Sequence, residues 1–361
     1  MDKDKFLKEH ACHAFRATFE KSTIKILEIV LKIFRLASYL PVVCRLSLAL
    51  GAIGTGAYVS AQEFPKGQTI TIVVGFVPGG GTDTATRIVA KSLSANLGQP
   101  VVVENRAGAG GVIATQAVAN AKPDGTTLLL GTIGPMAVSP HLMKMTIDPL
   151  KDLAPITMGV NFPNVLVVPP ELKVNSLAEL IAAAKKEPGK LTYASTGVGS
   201  AAHLAGELFA QRAGVEMIHV PYKGGSAAML DLLSGRIDAY YSTPTTSIQH
   251  VQANKLKALA TTGLKRTDAM PNVPTMAESG FPGFNATNWY AFVAPGKTPA
   301  PILDRWNTEI VKVLNDPEVR AQLNKHGLTP DPTTRQELAD FMAKESATWK
   351  KVVTERNIKL E

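Results

Sequence analysis

Two short segments hold the residue types that can grip an anion without any charged side chain. The first, Gly75-Phe76-Val77-Pro78-Gly79-Gly80-Gly81-Thr82-Asp83, follows an apolar β-rich run and opens a helical one. Glycine lets the chain turn sharply and bring main-chain N–H groups close to a guest, and a helix N-terminus adds about half a positive charge. The second, Ser195-Thr196-Gly197-Val198-Gly199-Ser200-Ala201-Ala202-His203, stands in the same strand-to-helix setting and offers hydroxyl and amide donors together. Two further runs share that setting. Gly131-Thr132-Ile133-Gly134-Pro135 has Thr132 as its best donor. In Pro221-Tyr222-Lys223-Gly224-Gly225-Ser226, Tyr222 either covers an apolar ligand face or belongs to a plain turn with Lys223 in solvent. A carboxylate accepts about four hydrogen bonds, each worth roughly 1.5–3 kcal/mol. Micromolar binding needs only about 8 kcal/mol, so two opposed seats suffice without a buried Arg.

Other chemistries lack their residues. The first loop fails the dinucleotide spacing at Thr84, and no Lys follows it as a phosphate loop requires. The string Ala291 to Thr298 ends in Gly296-Lys297-Thr298 but begins with Ala where glycine is needed. Ser200 is not centred between glycines as in a hydrolase elbow, and His203, three residues on, has no paired acid at a recognisable position. Asp83 could orient water or an ammonium group, or merely favour the helix dipole. The histidines His141, His203, His219, His250 and His326 form no i, i+4 pair, so no metal is expected, and no cofactor either.

The elements that must position these loops follow from periodicity. Strand-like runs at 69–76, 101–104, 127–131, 164–168, 191–194, 217–220, 237–241 and 257–262 alternate with helical spacing at 83–97, 176–186, 201–213 and 226–233. Strand then helix, repeated, gives mostly parallel α/β sheets. Ser176 with Glu179 and Thr334 with Glu337 have the spacing of capping boxes. Thr298-Pro299 and Asp316-Pro317 place a cap before a first-turn proline, so the chain beyond Pro299 is helical. Extended segments at 164–168 and 289–295 flank a block with its own strands and helices. They read as two crossings between a discontinuous lobe, residues 64–163 plus 292–361, and a second lobe, residues 164–291; one continuous sheet without a cleft is the alternative. Opposed seats at the carboxyl ends of strands would then face each other across the cleft, where open α/β sheets take ligands.

With 361 residues and 45% hydrophobic content, the chain can bury two such cores. Nine Lys/Arg and five Asp/Glu fall in residues 1–61, which leaves 29 basic against 25 acidic groups beyond them. That small excess, without a basic cluster interleaved with aromatics, gives no sign of nucleic-acid binding. Arg45 precedes a 17-residue uncharged run from Leu46 to Gln62 that contains three glycines and ends on Val59-Ser60-Ala61. This reads as an export signal cleaved near Ala61 rather than a membrane anchor, with residues 1–61 an N-terminal extension and signal peptide. Residues 1–40 are long and charged for such a leader, and no Met occurs between Met1 and Met136, so synthesis from a non-Met start nearer Leu36 is one reading. Cys12 and Cys44 both fall in the leader, so the exported chain is expected to have no disulfide and no thiolate ligand.

In chain order, several strings resemble one family. They include Pro78-Gly79-Gly80-Gly81-Thr82-Asp83, Val102-Val103-Glu104-Asn105-Arg106, Pro123-Asp124-Gly125, Pro163-Asn164-Val165-Leu166-Val167-Val168, Leu191-Thr192-Tyr193-Ala194-Ser195, His219-Val220-Pro221-Tyr222-Lys223-Gly224 and Pro271-Asn272-Val273-Pro274-Thr275. The chain resembles the extracytoplasmic solute receptors of tripartite tricarboxylate transporters, the Bug receptors. The resemblance implies a type II two-lobed periplasmic-binding-protein fold with two hinge crossings. It also implies a periplasmic, non-enzymatic receptor that takes a small carboxylate and hands it to integral-membrane transporter subunits; it is expected to be a monomer. Carried over residue by residue, it assigns ligand binding to Phe76, Gly80, Thr82, Asp83, Thr132, Ser195, Gly197, Gly199, Ser200 and His203. Ser139 and the stretch Tyr240 to Thr246 depart from the family pattern and are expected to face the ligand. A sensor feeding a periplasmic signalling receptor, or an enzyme acting on an anionic metabolite, are the competing readings.

Overall fold

The computed structural model describes residues 64–355, so the leader and its proposed cleavage site lie outside the described residues. The first stretch alternates β1 (Ile70–Val74), helix α1 (Gly81–Leu97), β2 (Val101–Asn105), α2 (Val112–Ala119) and β3 (Thr127–Thr132). A π-helical turn (Gly134–Val138) and the short helices α3 (Ser139–Leu142) and α4 (Pro149–Asp152) then lead into the long strand β4 (Leu153–Pro163). The chain next builds β5 (Val165–Val168), α5 (Leu177–Lys186), β6 (Thr192–Ser195), α6 (Ala201–Ala213) and β7 (Ile218–Pro221). These are followed by α7 (Gly225–Leu233), β8 (Ala239–Ser242), α8 (Pro244–Gln252) and β9 (Lys257–Thr261). It closes with β10 (Thr287–Pro295), α9 (Ala300–Asn315), α10 (Pro317–Lys325), β11 (Thr329–Pro330) and α11 (Arg335–Glu355).

These strands form two sheets. The six-stranded sheet runs β11-β4-β10-β3-β1-β2 and the five-stranded sheet runs β7-β6-β8-β5-β9. Strand β1 pairs parallel with β2 and β3, and β6 pairs parallel with β7 and β8; β10 and β5 run antiparallel through their respective sheets. The central strands of each sheet are buried on both faces, as those of a helix-covered sheet must be, while the edge strands β2 and β7 are partly exposed. Along β10, Tyr290, Phe292 and Ala294 join the core under α9, while Trp289, Ala291 and Val293 join the core under α11. Along β5, Leu166 and Val168 face α5 and α6, and Val165 and Val167 face α7. Helix α9 meets the first core with Ile302, Leu303, Trp306, Ile310, Val313 and Leu314, an i, i+3, i+4 stripe.

The chain passes from the first sheet to the second at Asn164, between β4 and β5, and returns ahead of Thr287. All of β10 from Thr287 onward pairs with β4, and Tyr290 and Ala291 also pair with β3, so residues 287–291 sit in the first sheet and not in the second lobe. The return crossing therefore falls earlier in the chain than 289–295. Of the expected caps, Thr334 and Glu337 form a reciprocal box: Thr334 N donates to Glu337 Oε2 at 2.8 Å and Glu337 N to Thr334 Oγ1 at 3.2 Å. Asp316 Oδ1 accepts from Glu318 N and Val319 N. Helix α9 is capped by Pro299 rather than Thr298, whose buried hydroxyl has no protein partner.

Candidate functional site

Four helices aim their N-termini at one cavity between the two sheets. Gly81 and Thr82 bring the first turn of α1, Ala201 and Ala202 that of α6, Gly225 that of α7, and Thr243 caps α8. The caps Gly80 and Gly224 make no side-chain hydrogen bond to their helices, so those first-turn amides are left for a guest. Thr243 Oγ1 instead meets Thr246 Oγ1 at 3.2 Å, and Thr246 N donates to Thr243 O at 3.1 Å. Phe76, Tyr241 and Tyr290 supply aromatic wall, and Thr82, Thr132, Thr196 and Ser200 supply hydroxyls. No residue lining the cavity carries a charged side chain. What it offers an anion is therefore oriented main-chain dipoles, each helix end giving roughly half a charge.

The cavity is closed over. Val77 N donates to Lys223 O at 3.3 Å and Ser226 Oγ to Pro78 O at 2.9 Å, joining the loop after β1 to the loop after β7. A Cβ on Gly110 would stand 2.7 Å from Val198 O, and one on Gly197 would stand 3.0 Å from Gly110 Cα, so two glycines let these loops touch backbone to backbone. The cavity between the sheets has a volume of about 20 Å³, enough for about one water.

Of the ten residues singled out from the sequence, Phe76, Gly80, Thr82, Thr132 and Ser200 line the cavity. The other five stand behind it. Asp83 is almost wholly buried; its Oδ2 accepts from Gly79 N at 3.0 Å and Arg87 Nε at 2.9 Å, and its Oδ1 accepts from Asn105 Nδ2 at 3.0 Å. Burial opposes its ionisation, but the hydrogen bonds from Arg87, Gly79 and Asn105 outweigh that and hold its pKa below the usual value. Asn105 Nδ2 also donates to Phe76 O at 3.0 Å, so Asp83 ties the first loop to β2. Ser195 Oγ meets His219 Nε2 at 2.6 Å and accepts from Gly197 N at 3.1 Å, fixing the start of the second loop. Gly197 is the close-approach point against Gly110. Gly199 N donates to His203 Nδ1 at 3.2 Å, which requires that nitrogen to be unprotonated, and the His203 ring stacks on His219 with centroids 4.1 Å apart. Burial, with His203 adding to it, lowers the His219 pKa to about 3.

Ser200 Oγ accepts from the main-chain N of His203 at 3.3 Å as an N-cap, which leaves its own O–H free to donate. The Ser195–His219 pair is buried and lies outside the cavity lining. Tyr222 turns to the helix that follows it, α7, donating to Asp231 Oδ2 at 2.8 Å, and Lys223 is exposed. Of the two divergent segments, Tyr241 and Thr243 line the cavity, whereas Ser139 is buried beside Gly199 and does not.

Thr196 and Tyr241 line the cavity from segments the sequence had pointed to, whereas Asn164, Asn288 and Tyr290 line it without having been singled out. The available signal was a polar residue interrupting a buried run, Asn164 in Phe162-Pro163-Asn164-Val165-Leu166 and Asn288 before Trp289-Tyr290-Ala291.

The profile of the tripartite tricarboxylate transporter family receptor matches residues 85–358. The chain belongs to this family. Protein BugT of Bordetella pertussis is 40% identical over 318 residues, 88% of this chain and 97% of BugT. Among solved structures, Rpa4515 of R. palustris with adipate superposes with a TM-score of 0.78 at 35% identity, covering 81% of this receptor and 98% of Rpa4515. MatC (Rpa3494) from Rhodopseudomonas palustris with bound malate gives 0.76 at 30% identity, covering 79% and 98%. The receptor has the two-lobed fold of periplasmic binding proteins, and its role is that of a solute-binding receptor for transport. No helix among the described residues is long and apolar enough to cross a membrane.

Proposed function

We propose that this receptor captures a small carboxylate between its lobes, with Phe76, Gly80, Thr82, Thr132 and Ser200 in contact with the guest. On this reading Asp83, Ser195, Gly197, Gly199 and His203 hold the two loops in shape. The observation that carries it is the convergence of four helix N-termini and several hydroxyls on a cavity without a charged side chain. Such a lining favours an anion and offers it donors, without the desolvation cost of a buried Arg. The adipate and malate held by Rpa4515 and MatC are of the same chemical class.

On the same proposal the lobes are residues 64–163 with 287–355, and residues 164–286, hinged at the two crossings. The receptor works as a periplasmic monomer after cleavage near Ala61 and does no chemistry on its guest. Its closed form docks on the membrane subunits of the transporter.

The test is a thermal-shift screen of mono-, di- and tricarboxylates, amino acids and aromatic acids, followed by calorimetry. A ligand at a hundred times its Kd is expected to stabilise the protein by about 2.7 kcal/mol. Absence of any shift across the acids would sink the proposal. Recovery of the bound acid unchanged after long incubation is the expected result against turnover.

A further inference from the structure

Three side chains in the cavity wall hold polar atoms that are buried and meet no protein partner: Nδ2 and Oδ1 of Asn164, Oδ1 of Asn288 and the hydroxyl of Tyr241. Asn164 is 0% exposed, Tyr241 1% and Asn288 8%. Buried polar groups are nearly always paired, so four orphaned atoms in one wall stand out.

Strand pairing explains why they converge. Asn288 lies opposite Phe162 on β4, and Tyr241 lies opposite Leu166 on β5. Side chains two residues apart share a face, so Asn164, midway between Phe162 and Leu166, continues the face of each partner. Its main chain is fixed, with Asn164 N donating to Thr262 Oγ1 and Asn164 O accepting from Thr262 N, both at 2.9 Å; only the amide group is left over.

The chemistry of the orphans differs from that of the helix ends. Two are carbonyl oxygens, which only accept, and a carboxylate also only accepts. Rotating the Asn164 amide exchanges its two atoms and still leaves both a donor and an acceptor to be met. A plain hydrocarbon chain would strand them. An ammonium would donate, but it would enter a wall without Asp or Glu and face the positive ends of four helices.

Resting on the carboxylate reading, we infer that Asn164, Asn288 and Tyr241 form a donor-reading wall. It selects carboxylates that carry an uncharged O–H or N–H over plain or aminated acids of the same length.

Calorimetry on the full exported chain with succinate, malate and aspartate tests this, since the three differ only by H, OH or NH₃⁺ on one carbon. Adipate and 2-hydroxyadipate repeat the comparison at greater length. At whichever length binds, the hydroxylated acid is expected to be tighter than the plain one by at least about tenfold, and malate tighter than aspartate. Asn288→Ala is expected to reduce that ratio to below about threefold, by weakening the hydroxylated acid more than the plain one. Tyr241→Phe, which keeps the ring, provides a second variant should Asn288→Ala fold poorly, and is expected to lower the ratio in the same direction. Ser200→Ala is expected to weaken both acids alike. Plain acids binding as tightly as hydroxylated ones, or a ratio that survives both wall variants, would overturn the inference. If neither length binds, the same comparison is made on the plain and hydroxylated forms of whichever acid the thermal-shift screen selects; if no acid in that screen binds, the carboxylate reading falls and this inference falls with it.

Discussion

Replacing Thr82 by Ala removes one O–H from the cavity while α1 keeps its glycine cap, so the loss is read mainly in binding. Ser200→Ala removes a hydroxyl that also caps α6, and is expected to lower stability by about 1 kcal/mol as well. For each, calorimetry is expected to show carboxylate binding weakened by about 1–2 kcal/mol, the scale of one hydrogen bond to a charged group. Unchanged affinity in both would remove the two hydroxyls from the site. Asp83 acts at one remove. Because folding lowers its pKa, its stabilisation is complete above the ordinary value of 3.8 and is lost as pH falls below it. Asp83→Asn is therefore expected to flatten the acid limb of the stability curve, measured by urea unfolding between pH 3 and pH 6. At this scale the glycine and hydroxyl loops were legible because the strand-to-helix turn that holds them is local. Tyr241 falls in a stretch expected to face the ligand, but Asn164 and Asn288 were not legible, because residues 124 apart become neighbours only through the β4–β10 pairing.

The elements were read where periodicity is clean and missed where it is interrupted. Strand β4 carries Pro155 and Gly159, both poor strand formers, inside Leu153–Pro163. The pairing shows how they are accommodated: the register with β10 slips twice, skipping Gly159 and Ile156, and a Cβ on Gly159 would stand 3.0 Å from Tyr290 O. A bulged strand reads as a loop to any two-residue pattern. The antiparallel β10 reads as a crossing because it is an extended segment flanking a block with its own strands and helices; only its pairing with β3 and β4 assigns it to the first sheet. At the β6–β7 edge, His219 stays neutral in the fold, with a pKa near 3 against an ordinary 6.5. The unfolded chain takes up a proton that the folded one refuses. Stability is thus expected to fall as pH drops from about 6.5 toward about 3, by up to about 1.4 kcal/mol per pH unit. His219→Gln is expected to lack that slope in denaturation curves across the same range; a slope unchanged in the variant would place its origin elsewhere.

For the whole molecule, closure depends on main chain meeting main chain. A Cβ on Gly134 would stand 3.1 Å from Gly199 O in the opposite lobe, and Gly134 needs no left-handed backbone. Gly134→Val is therefore expected to keep the lobes apart with little change in unfolding stability. In small-angle scattering with saturating acid, the variant should retain a larger radius of gyration than the parent and bind more weakly; equal radii would mean that the loops yield. The fold class was legible from strand and helix order, whereas the closed geometry was not. It depends on which loops from opposite sheets touch, and no local pattern encodes that.

Asn164 is at once the link through which the chain leaves its first sheet and a bare amide in the chamber wall. Here a change of guest and a change of swing would be written at the same codon, so altered selectivity at this position should come with altered opening kinetics.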